Sequence, residues 1–288
     1  MREIKYFELN DASVRFFDTH AHLYDDRFSK EGIAPEEILS LAAKTGVDSI
    51  LIPADSMESS RQAVDFCARF DKASGVKLFC SVGVHPHEAK TYDENVERFL
   101  IDSLGSRKEL KIKALGEIGL DYYYDLSERS VQRDVFRRQL ELAYDLDIPF
   151  ILHERDATGD CLDILREYQR KGCLRANPGV CHCCSMSAEA AAEMVRLGFF
   201  IGFDGPITFK NNKKTPEVCN MTPLDRIVIE TDSPYLTPEP NRGITNGPEF
   251  VPYVCAKIAQ IKGLTLEETA KVTYDNGSRL YEITEDMT

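Results

Sequence analysis

The chain has 288 residues, of which 43% are hydrophobic and 29% charged, with 17 glycines and 13 prolines, a globular composition that excludes disorder and collagen-like repeats. Thirty-five basic residues against forty-eight acidic ones give a net charge of −13, which excludes a protein that grips nucleic acid or an anionic membrane through a broad basic face. The length is close to the roughly 250 residues of one α/β barrel, and no run reaches the 18 or so apolar residues of a membrane span.

Short apolar runs alternate with longer amphipathic stretches from one end of the chain to the other, the pattern of βα units around a parallel sheet. Run length and flanking turn residues predict strands at 14–20, 49–53, 78–84, 112–117, 150–153, 179–183, 199–203 and 226–230. Amphipathic segments at 35–44, 59–70 and 128–146 predict helices between them. Eight units without a linker or low-complexity tract favour a single (β/α)8 TIM-type barrel spanning 16–288, with residues 1–15 as an N-terminal extension of no assigned function. The nine cysteines, odd in number and with no secretory leader pattern ahead of them, are expected to be reduced thiols in a cytoplasm.

In such a barrel the chemistry lies at the C-terminal ends of the strands. Strand one ends in Phe17-Asp18-Thr19-His20-Ala21-His22, and two histidines two residues apart share a face. Strand four delivers Glu117, strand five His153, strand six His182, and strand eight Glu230-Thr231-Asp232. Any one of these could be a satisfied buried side chain. Together they are hard to explain that way, because buried carboxylates are rare unless paired or bound to metal. Imidazoles with carboxylates suit one or two divalent ions such as Zn²⁺ or Mn²⁺, and hydrolysis by an activated water is the chemistry that follows.

Phe17-Asp-Thr-His-Ala-His22, Gly83-Val-His-Pro-His87, Gly116-Glu-Ile-Gly-Leu-Asp-Tyr-Tyr123, His153-Glu-Arg-Asp-Ala157, His182-Cys-Cys-Ser185 and Glu230-Thr-Asp-Ser-Pro-Tyr-Leu236 resemble, in order, the signature segments of the TatD family of metal-dependent deoxyribonucleases, within the amidohydrolase-like barrels. The resemblance implies two divalent ions (Zn, Mn or Mg), with His20, His22 and Asp232 on one, His153 and His182 on the other, and Glu117 bridging. It makes Asp232 the candidate base, and it implies removal of nucleotides from single-stranded DNA ends in a 3′ to 5′ exonuclease manner. Two departures stand out: Cys184 and Met186 replace the family's usual Phe and Gly, and Gly247 stands where Glu is usual. Both are expected to border the pocket.

Several residues admit two readings. His85, after strand three, either shapes a turn or contacts substrate phosphate, the role the resemblance favours. Lys210, in the loop after strand seven, either faces solvent or contacts phosphate. Asp18 and Glu230 are expected to orient imidazoles or bound water. Tyr122, Tyr123 and Tyr124 either stack a terminal base or pack at the rim. Cys181 and Cys183 should point outward under the helices, with Cys184 beyond the strand end and no zinc role. A hydrolase of a small amide, ester or lactone uses the same ligand set, and a non-catalytic partner-binding barrel is the third reading. No obligate protein partner is evident. The acidic balance leaves room for an enzyme that takes one strand end into a cation-filled pocket.

Overall fold

The computed structural model describes residues 4–71 and 75–284. Eight parallel strands pair in chain order: β1 (Phe16–Asp18), β2 (Val47–Ile52), β3 (Lys77–Val82), β4 (Ile112–Asp121), β5 (Phe150–Arg155), β6 (Gly179–Cys181), β7 (Phe200–Phe203) and β8 (Ile227–Ile229). Beyond β8 the chain returns to β1. Thr19 N donates to Ile229 O at 3.1 Å and Asp232 N to His20 O at 2.9 Å, and Ala21 bridges Ser233. The result is the nearly closed (β/α)8 barrel that the alternation predicts. The bounds differ most at β1, which stops at Asp18, and at β4, which continues to Asp121.

The helices are α1 (Asp26–Lys30), α2 (Pro35–Lys44), α3 (Met57–Phe70), α4 (Glu94–Gly105), α5 (Arg129–Asp145), α6 (Thr158–Arg170), α7 (Ala188–Arg196), α8 (Lys214–Met221), α9 (Val251–Lys262) and α10 (Leu266–Leu280). Their starts follow from sequence. Pro35 opens α2, where its missing N–H costs nothing. Ser56 with Ser59 closes a capping box on α3, and Thr265 with Glu268 another on α10. Asp93 accepts from the N–H groups of Asn95 and Val96 to start α4. Among the described residues no helix is long and apolar enough to cross a membrane.

Strand alternation separates two apolar layers. Phe17, Leu51, Phe79, Ala114, Ile151, Val180, Phe200 and Val228, one from each strand, meet in the barrel interior together with Leu280 and Tyr281 from the end of α10. The Tyr281 hydroxyl donates to Thr19 O at 3.1 Å. The larger layer lies between strands and helices and includes Ile50, Leu78, Val82, Leu115, Leu152 and Ile229.

The extension packs without joining the sheet. Tyr6 stacks on Phe250 at 6.1 Å, Phe7 meets Tyr253 edge-on at 5.1 Å, and Lys5 N donates to Asn241 Oδ1 at 2.9 Å.

Candidate metal centre

At the C-terminal mouth, β1, β4 and β8 bring four side chains to one point. Glu117 Oε1 lies 2.7 Å from His20 Nε2 and 3.3 Å from His22 Nε2, and Asp232 Oδ1 lies 3.7 and 3.5 Å from the same nitrogens. The other Glu117 oxygen, Oε2, faces a second set: His85 Nε2 at 3.6 Å and His153 Nδ1 at 3.7 Å. Glu117 thus stands between two donor groups, each compact enough for one ion. His182 is placed differently. Its ring stacks on His20 at 3.8 Å, its Nδ1 lies 3.4 Å from Glu230 Oε1, and its centroid is 6.0 Å from that of His153.

Two glycines make room for these side chains. Gly119 has φ +143° and lies where a Cβ would collide with the His153 carbonyl, so only glycine lets β4 approach β5 beside that histidine. A Cβ on Gly202 of β7 would meet both Glu230 carboxylate oxygens at 2.6 Å.

The donor set fits divalent ions. Among the described residues His20 Nδ1, Glu230 Oε2 and Asp204 Oδ2 are buried without hydrogen-bond partners, which is costly unless something else satisfies them. Their mutual fields say the same. Burial works against the charged form of His182, yet Glu117 and Glu230 push it up to about 10. Burial likewise opposes protonation of His22, but Tyr24, Asp232 and Glu117 raise it well above the ordinary value. The carboxylates pull positive charge towards themselves wherever it can be found. Glu117 itself, despite burial that would raise it, is held well below the usual carboxylate range by His20 and His182. Imidazole and carboxylate donors of this kind suit Zn²⁺ or Mn²⁺.

Asp18 and Glu230, expected to orient imidazoles or bound water, accept chiefly from backbone N–H groups around the site. Asp18 accepts from Thr231 N at 3.0 Å, from Thr231 Oγ1 at 2.7 Å and from His20 N at 3.3 Å, tying β1 to the segment after β8. Glu230 accepts from Cys183 N at 2.5 Å. Lys210 is exposed, apart from the lining of the central cavity of ≈ 380 Å³ that includes His22, His85, Glu117, His153, His182 and Asp232. A cavity of equal volume between α1, α2 and α3 is lined by Phe28, Phe66, Asp65 and Arg69 and brings no histidine to any point.

Two residues of the site escape a strand-by-strand reading. Asp121 ends β4, and its Oδ2 lies 2.8 Å from His87 Nε2 and 3.1 Å from His153 Nε2; the Gly116–Tyr123 motif contains it, but only the extension of β4 shows its role. Asp204, directly after β7, is buried, and burial followed by repulsion from Glu230 and Asp232 pushes its carboxyl up to about 8. Cys183 departs from expectation. The residue has φ +43°, so the chain turns after β6 and brings its sulfur within 4.8 Å of Asp204 and Asp232 oxygens instead of under the helices. Cys181 does pack outward, 4.0 Å from the Met186 sulfur. Cys184 and Met186 are buried in the outer layer, so this departure from the usual motif is a packing change and does not border the cavity. At the other departure, Gly247, the Glu249 carboxylate folds back into the space a side chain would take.

Comparison with known proteins decides the family. A family model described as TatD-related DNase matches residues 17–282. The chain belongs to the TatD-related DNase family. It is 38% identical over 271 residues to YabD, an uncharacterized metal-dependent hydrolase of Bacillus subtilis, covering 93% of this chain and 99% of that protein. It is 36% identical over 267 residues to YcfH, an uncharacterized metal-dependent hydrolase of Escherichia coli K12, covering 92% and 95%. Among solved structures, the TatD homologue YjjV of Escherichia coli K12 superimposes with a TM-score of 0.83 at 29% identity, covering 94% of this chain and 99% of that one. This TatD-family chain is therefore a metal-dependent hydrolase, and its nine cysteines are all unpaired.

Proposed function

We propose that this TatD-family hydrolase removes nucleotides from the ends of single-stranded DNA, in the 3′ to 5′ direction, at a centre for two divalent ions. The observation that carries the reading is Glu117, whose two oxygens face separate donor sets. Following the family resemblance, His20, His22 and Asp232 would hold one ion and His153 with His182 the other, with Glu117 between them; in this geometry His85 stands with His153 at Glu117 Oε2, and His182 would reach the second ion from its place stacked on His20. Ions bound there would supply Lewis acidity and lower the pKa of water towards neutrality.

The chain's own groups do the rest. Asp232 Oδ1, next to His20 and His22 Nε2, is placed to accept the proton of the attacking water. Asp18 and Glu230 fix the loops that carry His20 and His182. His85, buried beside Glu117 Oε2 and lining the cavity, would donate from Nε2 to a phosphate oxygen, and Lys210 would meet strand running over the loop after β7. Unpaired thiols fit a cytoplasmic enzyme.

Glu117→Ala or Asp232→Ala should abolish hydrolysis of a short end-labelled oligonucleotide while leaving the circular dichroism spectrum unchanged; full activity in either variant would sink the reading. Parallel assays of a nitrophenyl phosphodiester and a nitrophenyl ester with Mn²⁺ or Zn²⁺ separate this enzyme from a hydrolase of small amides, esters or lactones. Activity should fall only gently with salt, because few phosphates are gripped.

A further inference from the structure

Of the three tyrosines that follow β4, one is structural. Tyr122 donates its hydroxyl to Asp160 Oδ2 at 2.6 Å and lies under the Arg129 guanidinium at 4.4 Å. Tyr123 and Tyr124 are 58% and 52% exposed, large aromatic side chains that folding leaves in water. They are not loose. Asp121 Oδ1 accepts from both of their N–H groups, at 3.0 and 2.9 Å, and the buried Gln132 side chain holds Asp121 N and O and Ser127 O.

The guanidinium of Arg155, at the end of β5, sits 4.0 Å from the Tyr123 ring centre and 4.8 Å from that of Tyr124. Several helix arginines are paired with carboxylates, as Arg166 is with Glu193 and Arg138 with Glu97. Arg155 has no such partner: among the described residues its side-chain contacts are the two rings. Tyr124 and Arg155 both line the cavity of the metal centre, and Tyr124 meets His87 edge-on at 5.4 Å. On the opposite wall Tyr235 is already engaged, its hydroxyl bonded to Asp25 Oδ2 at 2.6 Å.

An exposed aromatic pair held rigid from below, beside an arginine with no anionic partner, is what a nucleotide requires: a π-face for the base and a fork for the phosphate. Resting on the phosphodiesterase reading above, we infer that Tyr123, Tyr124 and Arg155 form the subsite for the nucleotide next to the scissile bond: the two rings lie perpendicular at 4.9 Å, so one stacks its base while the other meets the base edge-on, and Arg155 holds its phosphate. Asp121 couples this subsite to the metal centre, because one carboxylate oxygen positions the tyrosine turn and the other positions His87 and His153.

The test uses the metal-loaded protein and single strands ending either in a normal nucleotide or in an abasic one. Wild type should lose about thirtyfold in kcat/KM when the terminal base is missing, the middle of the range for one stacked base, and Tyr123→Ala/Tyr124→Ala should show a ratio near one. In a second arm, a phosphorothioate-linked terminal 2-aminopurine should be quenched on binding wild type and not the double variant. Arg155→Gln should reduce the logarithmic salt slope of binding by about 0.7, one single-strand phosphate contact. Cleavage whose dependence on the base is unmoved in the double variant would overturn the subsite and leave the hydrolytic reading standing. Quenching without cleavage would do the reverse, and an enzyme that neither cleaves nor quenches would end both.

Discussion

Midway along the barrel, Phe17, Leu51, Phe79 and Phe200 fill the interior with apolar volume, whereas a few residues further along the chain the mouth holds Asp18, Glu117, Asp204 and Glu230 buried beside three or more imidazoles. The lower layer is close-packed and satisfied, and Tyr281 seals it with a single hydrogen bond. The upper layer carries unpartnered donors and acceptors; there Glu117 and Glu230 outweigh burial to push His182 up, and burial, with repulsion from Glu230 and Asp232, pushes Asp204 up. The lower layer supplies the stability that lets the upper one stay electrostatically frustrated in a form only cations relieve.

If the layers are separable, removing packing should cost stability and spare chemistry. Phe200→Ala should destabilise by about 3–5 kcal/mol in urea titration while kcat of the folded fraction is unchanged; a matching loss of kcat would show that the layers are coupled. The next effect belongs to Glu249, outside both layers, whose carboxyl is driven by burial up to about 7 from 4.5. A raised folded-state pKa means the native state holds its proton more tightly. Its contribution is therefore complete below pH 4.5 and is lost as pH rises to about 7, by up to about 3 kcal/mol. Glu249→Gln should flatten the pH dependence of the urea midpoint over that window, and a profile like wild type would exclude this group.

Divalent metal should stabilise through the upper layer alone. Saturation at a hundred times Kd contributes about 2.7 kcal/mol per site, so chelation should lower the thermal midpoint of wild type and move Glu117→Ala far less. The smallest change is Tyr281→Phe, which deletes one buried hydrogen bond and should cost about 1 kcal/mol without altering metal content. Loss of metal in that variant would break the separation.

Much of the site could be read by counting in twos from the inward-facing residues. Ile151 leads to His153, Val180 to His182, and Val228 to Glu230 and Asp232, and these histidines and carboxylates do meet at the mouth. The count fails on β1 and β4. From Phe17 it points His20 away from the centre, and from Ala114 it points Glu117 away, yet both reach it. β1 leaves its ladder after Asp18, and the pairing of β4 with β5 slips between Leu115 and Ile118. A slip of one residue exchanges the faces of a strand, and nothing in the local run announces it.

By itself, then, the sequence determined the class of barrel, the strands that end in donor side chains and the likeness to TatD-family hydrolases, because hydrophobic period and motif spacing are local properties. Tertiary structure decided what depends on residues distant along the chain. It set Glu117 between two donor sets, stacked His182 on His20, turned Cys183 inward, and left Tyr123, Tyr124 and Arg155 together at the rim. Those outcomes depend on where a ladder slips, which backbone turns to positive φ and which arginine lacks a carboxylate, and only the folded chain brings those partners within reach.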